Sequence, residues 1–143
     1  MIEGEVRSLE RVRELLIGAR TVAVLGASTK PERPAFYVPD YLHEQGYRLI
    51  PVNPLHVGAV AWAEPFRAKL TDIVEPIDIV DVFRHPNFLP SHTPDFLAMQ
   101  PAPKVVWFQQ GIRNDEVAAT LIAAGIEVVQ DRCILVDHRR LGL

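Results

Sequence analysis

The residues best suited to bind a ligand follow a short apolar run near the start of the chain. Val22–Leu25 are small or branched apolar residues, which is typical of a buried strand, and Gly26 ends the run. A glycine lets the backbone approach a ligand closely, and the start of a following helix leaves N–H groups free to meet negative charge. The stretch therefore predicts an anion-binding loop. Its candidate contact residues are Gly26, Ala27, Ser28, Thr29, Lys30 and Arg33.

Three later apolar runs also end in polar residues or glycine. They predict strands at Tyr47–Val52, Asp78–Phe83 and Lys104–Phe108. Apolar strands that alternate with helices favour an α/β fold, a Rossmann-like doubly wound parallel sheet in three α/β/α layers. Ligands bind at the carboxyl ends of the strands in such sheets. The candidate contact residues at these ends are Asn53, Pro54, Phe83, Arg84, His85, Pro86, Gln109, Gln110 and Gly111.

The rest of the chain predicts the elements that surround this sheet. At 143 residues we expect one domain spanning 1–143, with residues 1–20 forming a leading helix packed on it. That helix is predicted at Ser8–Ala19, with Ser8 as its cap. The other predictions are helices at Ala35–Gln45 (beginning near Tyr37 or Val38), Phe66–Ile73, Phe88–Met99 and Asn114–Ala124, a strand at Ile126–Val129, and a short strand or loop at Ala59–Trp62.

The amino-acid composition and charge of the chain argue against several classes of function. The single cysteine excludes an internal disulfide and favours a reducing compartment, so we expect the cytoplasm. A net charge of −3 argues against nucleic acid as a partner. No run approaches the roughly 18 apolar residues of a membrane span. The histidines show no metal-ligand spacing with one another or with Cys133, and no catalytic motif is present, so we expect neither a metal site nor catalytic residues.

The glycine loop does not match the dinucleotide fingerprint. That fingerprint has three glycines and an acidic residue after the second strand. Here Ser28 and Pro31 stand where the second and third glycines would be, and Asn53 stands at the acidic position. Asparagine binds a ribose diol less strongly than a carboxylate does, and it does not repel a phosphate on that ribose. With Lys30 and Arg33 nearby, the site favours a phosphorylated adenosine, which both NADP and coenzyme A contain.

The ordered series VAVLGAS, YRLIPVNP, DIVDVFRHP, VVWFQQGI and DRC resembles the stand-alone CoA-binding domain family. That family is similar to the N-terminal CoA-binding domain of the succinyl-CoA synthetase α subunit. The resemblance covers about Ala19–His138 and implies that the pyrophosphate lies near Gly26–Lys30 and the adenosine near Asn53. It also implies that Phe83–Pro86 and Gln109–Gly111 line the pantetheine path. The synthetase carries its catalytic histidine on a second domain, which this chain is too short to contain.

The preferred function is therefore a CoA or acyl-CoA binding protein without catalytic activity of its own. Two alternatives stay open: an NADP-dependent oxidoreductase domain, and a subunit or regulator of an acyl-CoA ligase that works with a partner chain. A homo-oligomer is also open. Cys133 precedes a strand-like run and is expected to be a buried small apolar residue. The alternative is that Arg132 beside it makes the thiol reactive, so that it forms a mixed disulfide with CoA. Asp81 is expected to point toward the carboxyl edge of the sheet and to bond a loop or cap a helix, with a role as a base as the alternative.

Overall fold

The computed structural model describes residues 2–143, and their strands alternate with helices along the chain. The strands are β1 Thr21–Leu25, β2 Arg48–Val52, β3 Val60–Ala61, β4 Glu64–Pro65, β5 Ile79–Val82, β6 Val105–Phe108 and β7 Glu127–Val129. The α-helices are α1 Leu9–Gly18, α2 Pro34–Glu44, α3 Leu89–Ala98, α4 Asp115–Ala123 and α5 Ile134–Arg140. No helix in residues 2–143 combines the length and the apolar character that crossing a membrane requires.

Five of the strands form one parallel sheet, which confirms the predicted Rossmann-like α/β fold. Its order is β2-β1-β5-β6-β7, and β3 and β4 make a separate antiparallel hairpin. The chain leaves β1 in one direction to form β2 and later returns to the other side of β1 as β5. The order of strands therefore reverses between β1 and β5, and a parallel sheet opens a crevice at such a point.

Helices cover both faces of the sheet, as a doubly wound arrangement requires. On one face, α1, α2 and α5 pack through residues such as Val12, Leu42 and Ile134. On the other face, α3 and α4 pack through residues such as Phe96 and Leu121. Burial of these apolar side chains on both sides explains why the sheet strands are almost entirely apolar, with Asp81 of β5 as a buried exception.

Helix α2 begins earlier than the sequence indicated, at Pro34 instead of near Tyr37 or Val38. Proline suits the first position of a helix because its missing N–H has no partner there. Pro39 consequently lies inside the helix, where it has no N–H to donate back to the carbonyl of Ala35. The N–H of Ser28 donates to that carbonyl instead, at 3.2 Å, and this hydrogen bond ties the glycine loop to α2.

Two other predictions of local structure were wrong. Most of Phe66–Ile73 is not helical, because the N–H groups of Phe66 and Arg67 donate to Ala59 and Pro51, and only Leu70–Asp72 makes one 3-10 turn. The strand-like run after Cys133 is the start of α5.

Buried polar contacts stabilise helix α5, and the apolar run gave no sign of them. Asp137 forms an ion pair with Arg132 at 2.7 Å, and Nδ1 of His138 bonds the Tyr41 hydroxyl at 2.8 Å. Both Asp137 and His138 are buried, so these contacts satisfy groups that an extended run could not bring together.

Candidate functional site

All of the strand-end residues that the sequence singled out line three adjoining cavities at the carboxyl edge of the sheet. The first cavity, called the cleft, lies at the ends of β5 and β6 and has a volume of about 720 Å³. The second, called the loop cavity, lies at the loop after β1 and has a volume of about 330 Å³. The third, called the β2 cavity, lies at the end of β2 and has a volume of about 500 Å³. The cleft and the loop cavity share Arg33 and Phe83, while the loop cavity and the β2 cavity share Gly26 and Asn53. Each of the three volumes is within the range of small-molecule sites, about 300–1,000 Å³.

Each cavity is defined by its own set of predicted residues. The cleft is lined by Arg33, Phe83, Arg84, His85, Pro86, Gln109, Gln110 and Gly111, together with residues of α2 and α5. The loop cavity is lined by Gly26, Ala27, Ser28, Thr29, Lys30, Arg33, Asn53 and Phe83. The β2 cavity is lined by Gly26, Asn53, Pro54 and Arg84, together with Leu55, Lys69, His92 and Asp95.

Gly26 lies where the strand order reverses, and its backbone fixes the shape of the edge. Its φ of +87° is a left-handed conformation that favours glycine. A Cβ at this position would lie 2.6 Å from the carbonyl oxygen of Phe83. The end of β1 and the end of β5 therefore approach each other more closely than any side chain would allow. This close approach is the physical reason for a glycine at the end of β1.

The loop after Gly26 offers fewer free backbone donors than the sequence suggested. The N–H groups of Gly26 and Ala27 both donate to Val52, at 2.9 and 3.3 Å, and the N–H of Lys30 donates to Ser28 Oγ at 3.0 Å. Within residues 2–143, the N–H of Thr29 has no partner, and the same is true of Ala35 at the start of α2. The loop cavity is therefore suited to an anion through these two donors.

Two exposed cations add to those donors. Lys30 and Arg33 both line the loop cavity and have their charged groups open to solvent. A phosphate group would gain charge-assisted hydrogen bonds from them, which are stronger than bonds between neutral partners.

Asn53 lines two cavities, but its carboxamide is already engaged in the protein. Its Nδ2 donates to the carbonyl of Ala27 at 3.0 Å, and its Oδ1 accepts from the N–H of Leu55 at 3.0 Å. Asn53 therefore fixes the glycine loop against the end of β2. An aspartate at this position could not donate to Ala27. The hydrogen bond therefore gives a structural reason for asparagine here, which the sequence did not show.

Arg84 separates the cleft from the β2 cavity. Its guanidinium lies 4.5 Å from the centre of the Phe88 ring, and its Nε donates to Nε2 of His92 at 3.2 Å. Burial and the Arg84 charge lower the pKa of His92, so the imidazole is neutral near pH 7 and accepts this hydrogen bond. Arg84 is thereby held as a fixed cation between two cavities.

Sequence reasoning missed several residues of the β2 cavity. Lys69, His92 and Asp95 line it, and His56 lines the loop cavity. Lys69, His92 and Asp95 come from segments that were interpreted only by their helical periodicity, so their position at the edge depends on tertiary packing. Within residues 2–143, no group of three or more histidine, cysteine or acidic side chains is arranged to hold a metal ion.

Hydrogen bonds connect the segment after β6 to the segment after β7. Gly111 has a φ of +85°, and its N–H donates to Asp131 Oδ1 at 2.7 Å. Gln109 is only 5% exposed, and its Oε1 accepts from the N–H of Ile134 at 3.0 Å. Gln110 is exposed at the cleft wall. The two adjacent glutamines therefore present one buried and one exposed carboxamide to the same cleft.

Two expectations about reactive side chains need correction. Arg132, which under the alternative was expected to activate Cys133, instead has its guanidinium charge paired with both carboxylate oxygens of Asp137, at 2.7 and 2.9 Å. Asp81 neither bonds a loop nor caps a helix. It is fully buried in the sheet, and neither carboxyl oxygen has a hydrogen-bond partner in residues 2–143.

Known proteins match this chain over most of its length. YneT of Bacillus subtilis (strain 168), described as uncharacterized, is 38% identical over 136 residues, which cover 92% of this chain and 94% of YneT. A solved structure described as cell-free ID.343 from Thermus thermophilus is 50% identical, with a TM-score of 0.90, and the match covers 94% of this chain and 99% of that one.

A hypothetical protein from Pyrococcus horikoshii OT3 is 34% identical, with a TM-score of 0.87 and coverage of 96% of this chain and 94% of that one. The family model described as CoA binding domain matches residues 20–139. This match includes every strand of the parallel sheet and all of the candidate contact residues named from the sequence. The chain therefore belongs to the CoA binding domain family.

Proposed function

We propose that this protein binds CoA or an acyl-CoA at the carboxyl edge of its sheet. The observation that carries the proposal is the convergence of four separate strand ends, in a chain of the CoA binding domain family, around adjoining cavities. CoA has three chemically distinct parts: a diphosphate, a 3′-phosphorylated adenosine and a long arm with two amides. The three cavities differ in chemistry in a way that suits these parts.

The diphosphate is assigned to the loop cavity. Lys30 and Arg33 supply positive charge there, and Thr29 and Ala35 supply backbone N–H groups that have no other partner in residues 2–143. Anion binding at a glycine turn followed by a helix start uses the same combination of donors and charge. The assignment makes Lys30 and Arg33 direct ligand contacts.

The adenosine end is assigned to the β2 cavity. Lys69 and Arg84 line that cavity and provide two cations for a 3′-phosphate, while Asp95 provides an acceptor for hydroxyl or amino groups. Leu55 and Pro54 supply apolar surface for the base. This assignment supports a phosphorylated adenosine over the plain adenosine of NAD.

The pantetheine arm is assigned to the cleft. Apolar side chains such as Val38 and Phe83 form much of its wall, and the carboxamides of Gln109 and Gln110 lie among them. An arm of methylene groups interrupted by amides matches a wall of this kind, because each amide must find a partner when it leaves water.

Isothermal titration of the ligand-free protein tests the proposal. The protein is unfolded, freed of small molecules, refolded and titrated separately with CoA, dephospho-CoA, NADP and NAD. We expect CoA to bind most tightly and dephospho-CoA to bind more weakly. Equal affinity for CoA and dephospho-CoA would remove the 3′-phosphate assignment. Binding of NADP without binding of CoA would overturn the proposed function in favour of the oxidoreductase alternative.

A further inference from the structure

We propose that Cys133 is a modification site in the wall of the cleft, where it forms a mixed disulfide with CoA. The inference rests on the proposed function and goes beyond it, since reversible binding of CoA requires no cysteine. Cys133 is the one cysteine of the chain, it is partly exposed, and it lines the cleft together with Gln109 and Gly111.

The backbone holds Cys133 at the cleft from both sides. The carbonyl of Arg132 accepts from Trp107 Nε1 at 2.8 Å, and the N–H of Arg132 donates to Phe108 at 3.3 Å. On the other side, the N–H of Ile134 donates to Gln109 Oε1 at 3.0 Å. The thiol therefore belongs to a segment anchored to β6, the strand whose end forms the cleft wall.

Gln109 points independently to a ligand in the same place. It is only 5% exposed, and its Oε1 is used by Ile134, yet its Nε2 donates to no group in residues 2–143. That nitrogen is not closed off in the protein interior, and Gln109 lines the cleft. An amide carbonyl in the cleft would supply the missing acceptor, and a pantetheine arm carries two such carbonyls.

The arrangement brings the sulfur end of the arm toward Cys133. The loop cavity, assigned to the diphosphate, opens into the cleft where both are lined by Arg33 and Phe83. The arm that leaves the diphosphate there runs along the wall formed by the end of β6, beside which Cys133 lies. The proposal places the terminal sulfur of the arm beside Cys133, which lines the same cleft.

The reaction is a thiol–disulfide exchange, with the symmetric disulfide of CoA as the oxidant. The Cys133 thiolate attacks one sulfur of that disulfide, a new S–S bond forms between Cys133 and one CoA, and the original S–S bond breaks. The second CoA leaves as a thiolate and takes up the proton that Cys133 lost. A thiol reductant reverses the exchange and releases free CoA.

Intact-mass spectrometry without reductant tests the proposal on the reduced, ligand-free protein. CoA disulfide is compared with oxidised glutathione at equal concentration. Because binding in the cleft holds the reacting sulfurs together, we expect CoA disulfide to react about tenfold faster or more. An excess of desulfo-CoA, which binds but cannot exchange, is expected to slow the reaction with both disulfides.

A matched control moves the thiol away from the cleft. In the double variant C133S/V60C, the cysteine lies on the exposed β3–β4 hairpin, which lines none of the three cavities. CoA disulfide should then have no rate advantage over oxidised glutathione. Equal rates with the two disulfides in the unaltered protein would overturn the mixed-disulfide proposal. Failure of desulfo-CoA to bind C133S in a titration would instead overturn the proposed function itself.

Discussion

Replacement of Asp81 by asparagine is expected to stabilise the protein by an amount that grows as the pH rises. Asp81 lies on the central strand β5 between Val24 and Trp107. It is fully buried and has no hydrogen-bond partner in residues 2–143. Burial raises the pKa of this carboxyl well above its usual value, so the folded protein keeps the proton.

The magnitude follows from proton linkage. In the unfolded chain an aspartate releases its proton near pH 3.9, so above that pH unfolding of this protein releases one proton from Asp81. Its contribution to the free energy of unfolding therefore falls as the pH rises toward the raised folded pKa, by about 1.4 kcal/mol per pH unit. Asp81→Asn has no such proton. For a chain of 143 residues, the gap in Tm between variant and wild type should widen by about 5 °C from pH 5 to pH 6.

Asp78 offers a matched control three residues earlier. Burial raises its pKa, but hydrogen bonds from the N–H groups of Arg20 and Thr21 and the charge of Lys104 outweigh that effect, so its pKa lies below the usual value. Its contribution to stability is present above the unfolded pKa and is lost only as the pH falls through the folded pKa. Asp78→Asn should therefore lower Tm by the same amount at pH 5 and pH 6.

Urea denaturation and thermal unfolding, followed by circular dichroism at each pH, measure both differences. The comparison of each variant with wild type cancels the other titrating groups. A gap between Asp81→Asn and wild type that stays constant from pH 5 to pH 6 would refute the reasoning, because it would mean that Asp81 is ionised in the folded protein.

Three further changes test other parts of the structure. Gly26→Ala should lower the unfolding free energy by about 2 kcal/mol or more, because the new Cβ meets the Phe83 carbonyl at 2.6 Å; unchanged stability in urea would contradict this. Glu5→Ala should cost about 3 kcal/mol in the same assay, because it removes the buried partner of Arg113 at 2.8 Å; a cost below about 1 kcal/mol, the scale of a surface pair, would show that the pair is unimportant. Lys69→Ala should weaken CoA binding more than dephospho-CoA binding in titrations, and an equal loss for both ligands would exclude contact with the 3′-phosphate.

The sheet and its edge were predictable because each strand is marked locally. An apolar run that ends in Gly26 or Asn53 is read directly from the sequence, and parallel strands bring their carboxyl ends to one edge. The sequence therefore identified residues that line the cavities without any knowledge of the distances between them. Family resemblance added the expectation of CoA as the ligand, which strand patterns alone left open between NADP and CoA.

What escaped prediction depends on contacts between distant segments. Helix α5 was interpreted as strand-like because Ile134–Val136 are apolar, whereas the hydrogen bond that holds its His138 comes from Tyr41, 97 positions earlier in the chain. Lys69 and His92 reach the β2 cavity only through tertiary packing.

The N-terminal segment is a second example. Glu5 pairs with Arg113, and the N–H of Val6 donates to Val128 at 2.9 Å, so this segment lies beside β7 at the edge of the sheet. No local pattern distinguishes Glu5 from the solvated charges around it. Its burial is a consequence of a partner more than a hundred positions away in the chain.

The central claim is that the carboxyl edge of this sheet is a CoA site. A crystal structure of the protein grown with saturating CoA tests it most directly. We expect the diphosphate against the loop of Gly26–Lys30, the adenosine beside Lys69, and the arm along Gln109–Gly111 with its sulfur nearest Cys133. Density for CoA elsewhere on the protein, or an edge that stays empty at saturating CoA, would contradict it.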